Sequence, residues 1–145
     1  MIRLERRFHD QIVHQAQEEF PNEACGLIAG KDGVPARLYR MRNEDDSPKT
    51  YRFESKEQNR VMNEIDGQGL DLWAIYHSHP ATEAYPSKTD RERAHTEWVD
   101  PETGEHLPWF PGTYYLIVSL RDDKPVLRAF RFEQGVPVEE EVRIE

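Results

Sequence analysis

A single cysteine, Cys25, stands among the 145 residues, so no internal disulfide braces this chain. That usage suits a reducing compartment, and a cytoplasmic protein is expected. No apolar run approaches the roughly 20 residues that a membrane helix needs, and Met1-Ile2-Arg3-Leu4 begins no signal peptide. Membrane partners are therefore not expected. Lys and Arg number 19 against 28 Asp and Glu, giving a net charge of −9 without a basic stripe. Phosphate contacts need clustered Lys and Arg, so nucleic acid is a poor fit and a basic or mixed-charge protein surface a better one. The chain also lacks internal repeats, low-complexity tracts and a His-Glu-x-x-His zinc helix. Its length suits one domain, residues 1–145.

What the chain does have is His77-Ser78-His79, seven residues, and then Ser87-Lys88-Thr89-Asp90. The apolar run Leu72 to Tyr76 ahead of it reads as a buried strand. Residues i and i+2 of a strand share a face, so both imidazoles can converge on one ion. Pro80 cannot continue a ladder and turns the chain away. A loop to Ser87 and a helix beginning near Asp90 can return a carboxylate over the pair. Two histidines and a carboxylate with an open fourth position form the ligand pattern of a catalytic zinc. Ser87-x-x-Asp90 also fits a capping box, and the two readings are compatible.

The same string resembles the JAMM (MPN-plus) metalloprotease motif, which runs His-x-His, seven residues, Ser, two residues, Asp, with a glutamate far upstream. The resemblance covers most of the chain, including Tyr115 to Ser119, and places the upstream glutamate at Glu23 in Asn22-Glu23-Ala24-Cys25-Gly26. It implies an α/β fold in which a single mixed sheet is flanked by helices, with layering like that of cytidine deaminases. It also implies zinc on His77, His79 and Asp90, Glu23 as proton shuttle and Ser87 as oxyanion donor. The expected substrates are the C-terminal tails of ubiquitin-like or sulfur-carrier proteins, cut at a peptide or isopeptide bond. Oligomeric state is left open. The stretch between Asp90 and Pro111 is longer than compact members lead one to expect, and a loop at about 95–111 is assigned to this protein.

Periodicity supplies the remaining elements. Phe8, Ile12, Val13, Ala16 and Phe20 recur at helical spacing, ended by Pro21-Asn22. Strands follow at Ala24 to Ala29 and Val34 to Met41, joined by a turn at Gly30 to Gly33. Asn43 to Pro48 is a polar loop, and Ser55-Lys56-Glu57-Gln58 a capping box for a second helix bearing Val61, Met62 and Ile65. His95 is assigned to the third helix and Pro101 to Pro111 to a loop. Strands close the chain at Tyr114 to Leu120, Val126 to Phe132 and in one last run through Val136, Val138, Val142 and Ile144.

Three rival readings accompany this one. Cys25 is a thiol candidate, though its apolar context suits a small buried side chain. Glu83 stands where a cupin would place a metal glutamate, but that fold's glycines and later histidine are missing. A non-catalytic scaffold of the same fold would not need the full ligand set. Trp98, Trp109 and Phe110 around the long loop are placed to grip a substrate or to cover edges of the core, and the second is expected.

Overall fold

The computed structural model describes residues 1–145. A mixed sheet of six strands organises them, ordered β3-β2-β4-β7-β8-β9. The strands are β2 (Cys25–Lys31), β3 (Val34–Met41), β4 (Asp71–His79), β7 (Tyr114–Ser119), β8 (Val126–Glu133) and β9 (Val136–Glu140). Only β4 and β7 run parallel; every other neighbouring pair is antiparallel. Helix α1 (Arg6–Glu19) lies on one face and α2 (Ser55–Gly67) on the other, so the expected α/β class holds.

The alternation of β4 explains both layers. Ala74 and Tyr76 project into a cluster with Phe8, Ile12 and Ala16 of α1, whereas Ile75 joins Val61 and Ile65 of α2. Of the residues at helical spacing, Phe8, Ile12 and Ala16 are buried and Val13 partly so, but Phe20 lies beyond α1 and is exposed, and the polar Gln15 takes a buried place instead. Gly26 is required where β2 crosses Tyr76, because a Cβ there would sit 2.2 Å from the tyrosine ring. The Tyr76 hydroxyl donates to Gln15 Oε1 at 2.6 Å, and Gln15 Nε2 donates to the Cys25 carbonyl. One buried network therefore fixes α1 against the two strands that carry the site.

Several boundaries differ from expectation. A short strand β1 (Ile2–Leu4) pairs in parallel with β10 (Val142–Ile144), burying Ile2 and Leu4. The expected final strand is therefore two, β9 in the main sheet and β10 beside β1, and the single sheet becomes one large sheet with two small ones. The turn after β2 is Asp32-Gly33, both with positive φ, rather than beginning at Gly30. The cap of α2 is Glu54, whose carboxylate accepts from Glu57 N at 2.7 Å; Ser55 is already helical. Helix α3 ends at Arg93 (Lys88–Arg93), so His95 opens β5 (His95–Val99), paired with β6 (His106–Pro108). Residues read as helix end and loop thus form a hairpin. No helix is long and apolar enough to cross a membrane.

Candidate metal and catalytic site

The site forms at the C-terminal end of β4. His77 lies in register with Cys25 on one side and Ile117 on the other, and His79 with Ser119, so the histidine strand is held by two ladders. Ser78 points the opposite way. Its Oγ accepts from Ala24 N at 2.7 Å, and its N–H donates to Ala24 O at 2.9 Å, which fastens the segment carrying Glu23 to the histidine strand. Glu23 is pinned on both sides: its N–H donates to Ser47 O at 2.8 Å, and its carbonyl accepts from Asn43 Nδ2 at 3.0 Å.

From the other direction comes α3. Ser87 Oγ accepts from Asp90 N at 3.0 Å, and Asp90 Oδ2 accepts from Ser87 N at 3.0 Å, so the capping box is complete. The same Oδ2 lies 3.0 Å from both His77 Nε2 and His79 Nε2, which are 3.1 Å apart. Cap and ligand candidate are therefore one side chain. Glu23 completes a group of four whose donor atoms all fall within 4.8 Å of one another.

This arrangement fits a metal ion better than it fits itself. Three polar atoms at one point cannot all be satisfied by the few protons between them, and Glu23 Oε1 is buried with no hydrogen-bond partner. At zinc distances of about 2.0–2.1 Å, neighbouring tetrahedral ligands sit roughly 3.3 Å apart, close to the spacing observed. His79 Nδ1 lies 2.7 Å from the Glu83 carbonyl, which assigns its proton there and leaves Nε2 free to ligate. His77 is oriented instead by Tyr51, stacked on it at 4.4 Å between centroids.

Burial sets the charges. It holds His77 neutral, although Asp90 opposes this. His79 feels the same burial but is raised overall by Asp90 and the Glu83 carbonyl. Asp90 is held well below the usual carboxylate range: burial works the other way and is outweighed by His77, His79 and Ser87 N. Glu23 is pushed up to about 8, first by burial and then by Asp90, against the pull of His79. Two nearby carboxyls thus sit far apart, one a committed anion and the other a proton holder.

Other sequence candidates fall outside this cluster. Cys25 is fully buried, its Sγ 3.9 Å from Met41 O, and burial pushes its thiol up, which leaves little thiolate for attack. The Glu83 side chain is exposed and contributes only its carbonyl. Trp98 and Trp109 are 76% and 61% exposed and do not cover the core; Phe110 does pack on the α2-side cluster. The sequence reading missed Tyr51, Asn43 and Ser78. Asn43 opens a loop full of turn residues, which is the one local signal it gives.

Residues 5–133 match the family described as prokaryotic homologs of the JAB domain. This chain belongs to that family. The "CysO-cysteine peptidase" of Mycobacterium tuberculosis is 38% identical over 136 residues, 92% of this chain and 84% of that protein. The "Desampylase" of Haloferax volcanii is 32% identical over 117 residues, covering 76% and 74%. Among solved structures, protein DSY2949 from Desulfitobacterium hafniense superposes with a TM-score of 0.80 at 31% identity, spanning all of this chain and 93% of that one. The JAB/MPN layering expected from the motif is the one shared with a JAB1/MPN domain protein from Archaeoglobus fulgidus, which superposes with a TM-score of 0.58 at 18% identity over 99% of this chain and 98% of that one.

Proposed function

We propose that this protein is a zinc-dependent peptidase or isopeptidase that hydrolyses the bond at the C-terminal tail of a ubiquitin-like or sulfur-carrier protein. The convergence of His77, His79 and Asp90 beside an unpartnered Glu23 carboxyl carries this reading. The relatives named for a carrier–cysteine peptidase and a desampylase support the substrate class. A scaffold has no use for four buried polar groups that only a cation reconciles.

His77, His79 and Asp90 would hold the ion. Bound zinc supplies Lewis acidity and lowers the pKa of a coordinated water from about 15.7 toward about 7. Asp90 contributes its charge and, through the Ser87 amide, keeps its carboxylate aimed inward. The Glu23 carboxyl, buried and without a hydrogen-bond partner, would act as its carboxylate, the form that a cation beside it favours over the proton-holding one of the metal-free site, taking a proton from the attacking water and returning it to the leaving nitrogen. Ser87 Oγ already accepts from Asp90 N, so its O–H remains free to donate to the developing oxyanion. Single donors of that kind are worth roughly 2.7–4 kcal/mol in other enzymes.

The test is metal analysis with turnover. Purified protein should carry about one zinc per chain, lose cleavage of a carrier–cysteine conjugate on chelation, and regain it with added zinc. His79→Ala should lose most of the metal. Full zinc retention in both His77→Ala and Asp90→Ala would remove the site assignment.

A further inference from the structure

The β5–β6 hairpin carries a surface that the core does not explain. Four of the chain's large exposed hydrophobics lie on it or at its end: Trp98 (76%), Trp109 (61%), Val99 (48%) and Leu107 (43%). Residues 95–109 also hold four acids, Glu97, Asp100, Glu102 and Glu105, and no Lys or Arg. None of these acids is ion-paired within the chain, whereas neighbouring acids such as Glu92 and Glu133 are. Strands β5 and β6 pair only with each other, so each keeps a free edge. Exposed apolar side chains gathered this way mark a contact surface, and Trp is the residue type that most often anchors one.

The hairpin is continuous with the candidate active site. Trp109 N donates to Ala94 O at 3.0 Å, at the C-terminal cap of the helix that carries Asp90. Trp109 and Phe110 line a cavity of about 520 Å³ that also touches Tyr51, the residue stacked on His77. A body seated on the hairpin would therefore sit beside the cluster. Its chemistry follows from the charges: an apolar centre rimmed by Lys or Arg. A second copy of this chain fits poorly, since each copy brings a net charge of −9.

We propose that the acidic, tryptophan-bearing hairpin docks the folded body of the carrier protein through a basic-rimmed apolar face, separately from the His77–His79–Asp90 cluster that acts on its tail. This rests on the hydrolase reading for the identity of the partner, and direct binding separates the two. The probes are a ubiquitin-like sulfur-carrier protein, its cysteine conjugate, and a synthetic peptide of the conjugate's tail alone. For Trp98→Ser with Leu107→Ser, carrier binding should weaken at least about tenfold. KM for the conjugate should rise in step, while kcat and peptide cleavage stay unchanged. Glu97→Lys with Glu102→Lys should weaken binding and blunt its loss with added salt. Carrier bound as predicted but never cleaved would keep the docking surface and remove the hydrolase. Conjugate and peptide cleaved alike by every variant, or a hairpin variant that only turns a dimer into a monomer, would overturn the docking surface.

Discussion

Replacing Asn43 with alanine tests whether Glu23 works from a fixed position. Asn43 is 5% exposed and uses its whole amide: Nδ2 donates to Glu23 O and Thr50 O, both at 3.0 Å. Its Oδ1 accepts from Asp45 N at 3.0 Å and Arg52 N at 3.2 Å. The alanine variant removes all four. Bonds of this kind are worth about 0.5–1.5 kcal/mol each, and a buried acceptor left alone costs about 1–3 kcal/mol. The Asp45 and Arg52 amides lie near water and recover part of their loss; the Glu23 carbonyl does not. A total near 3 kcal/mol lowers the melting temperature by roughly 6–12 °C in a chain of this size. Asn43 also sets the loop bearing Tyr51, which Arg93 braces from α3 through Asp45 Oδ2 at 2.8 Å and Tyr51 O at 2.9 Å. Turnover should therefore fall while zinc remains, because none of the proposed ligands His77, His79 and Asp90 touches Asn43. Thermal denaturation, metal content and cleavage below the variant's melting range measure the three effects. Melting within about 2 °C of the parent, with parental turnover, would refute the reasoning.

Glu23→Gln should keep zinc and melting temperature while losing roughly 10²–10⁴-fold in rate; loss of metal instead would make the glutamate a ligand. Cys25→Ser should retain cleavage, and the parent thiol should resist alkylation in the folded state, because it is fully buried; inactivation by alkylation of folded protein would restore the thiol mechanism. In protein stripped of metal, the raised Glu23 carboxyl keeps in the folded state a proton that the unfolded chain has released. That contribution is complete below about 4.5 and lost as pH rises through about 8. The raised His79 acts in the same direction. Chelated protein should accordingly melt lower at about pH 9 than at about pH 7, with a smaller fall in Glu23→Gln; equal slopes would contradict the burial argument.

The parts of the site that were legible obey local rules. Strand alternation puts His77 and His79 on one face whatever surrounds them, and a three-residue offset puts Asp90 on the Ser87 cap. Glu23 obeys no local rule. Its position depends on Ser47, Asn43 and Ser78, distant in sequence, and the residue was reached only through resemblance. Non-local pairing also accounts for the misplaced strands. Three residues at Ile2–Leu4 are too few to show a period, and they pair with the far end of the chain. The alternation Val136 to Ile144 runs on across Glu141, but it says nothing of which sheet each half joins. The prolines and glycine of residues 101–111 read as loop because they punctuate a hairpin's turn and ends.

The same division shapes how the site should fail. The three ligand candidates hang from structures locked on several sides: a central strand with ladders on both flanks, and a helix closed by its own cap. Glu23 hangs from the connection between α1 and β2, held by one hydrogen bond to the Ser47 carbonyl, one from Asn43 Nδ2 and, through its neighbour Ala24, a pair with Ser78, rather than by a ladder. Ligand geometry is therefore the robust part and proton delivery the fragile one. Under the proposed mechanism, small displacements in the 43–53 loop would move the shuttle and, through Tyr51, the His77 ring stacked on it, without loosening His79 or Asp90, and a misplacement of about 1 Å at a reacting group costs about 10²-fold in rate. Under the proposed mechanism, holding metal and using it are separable, and substitutions in that loop that spare Tyr51 should act on the second.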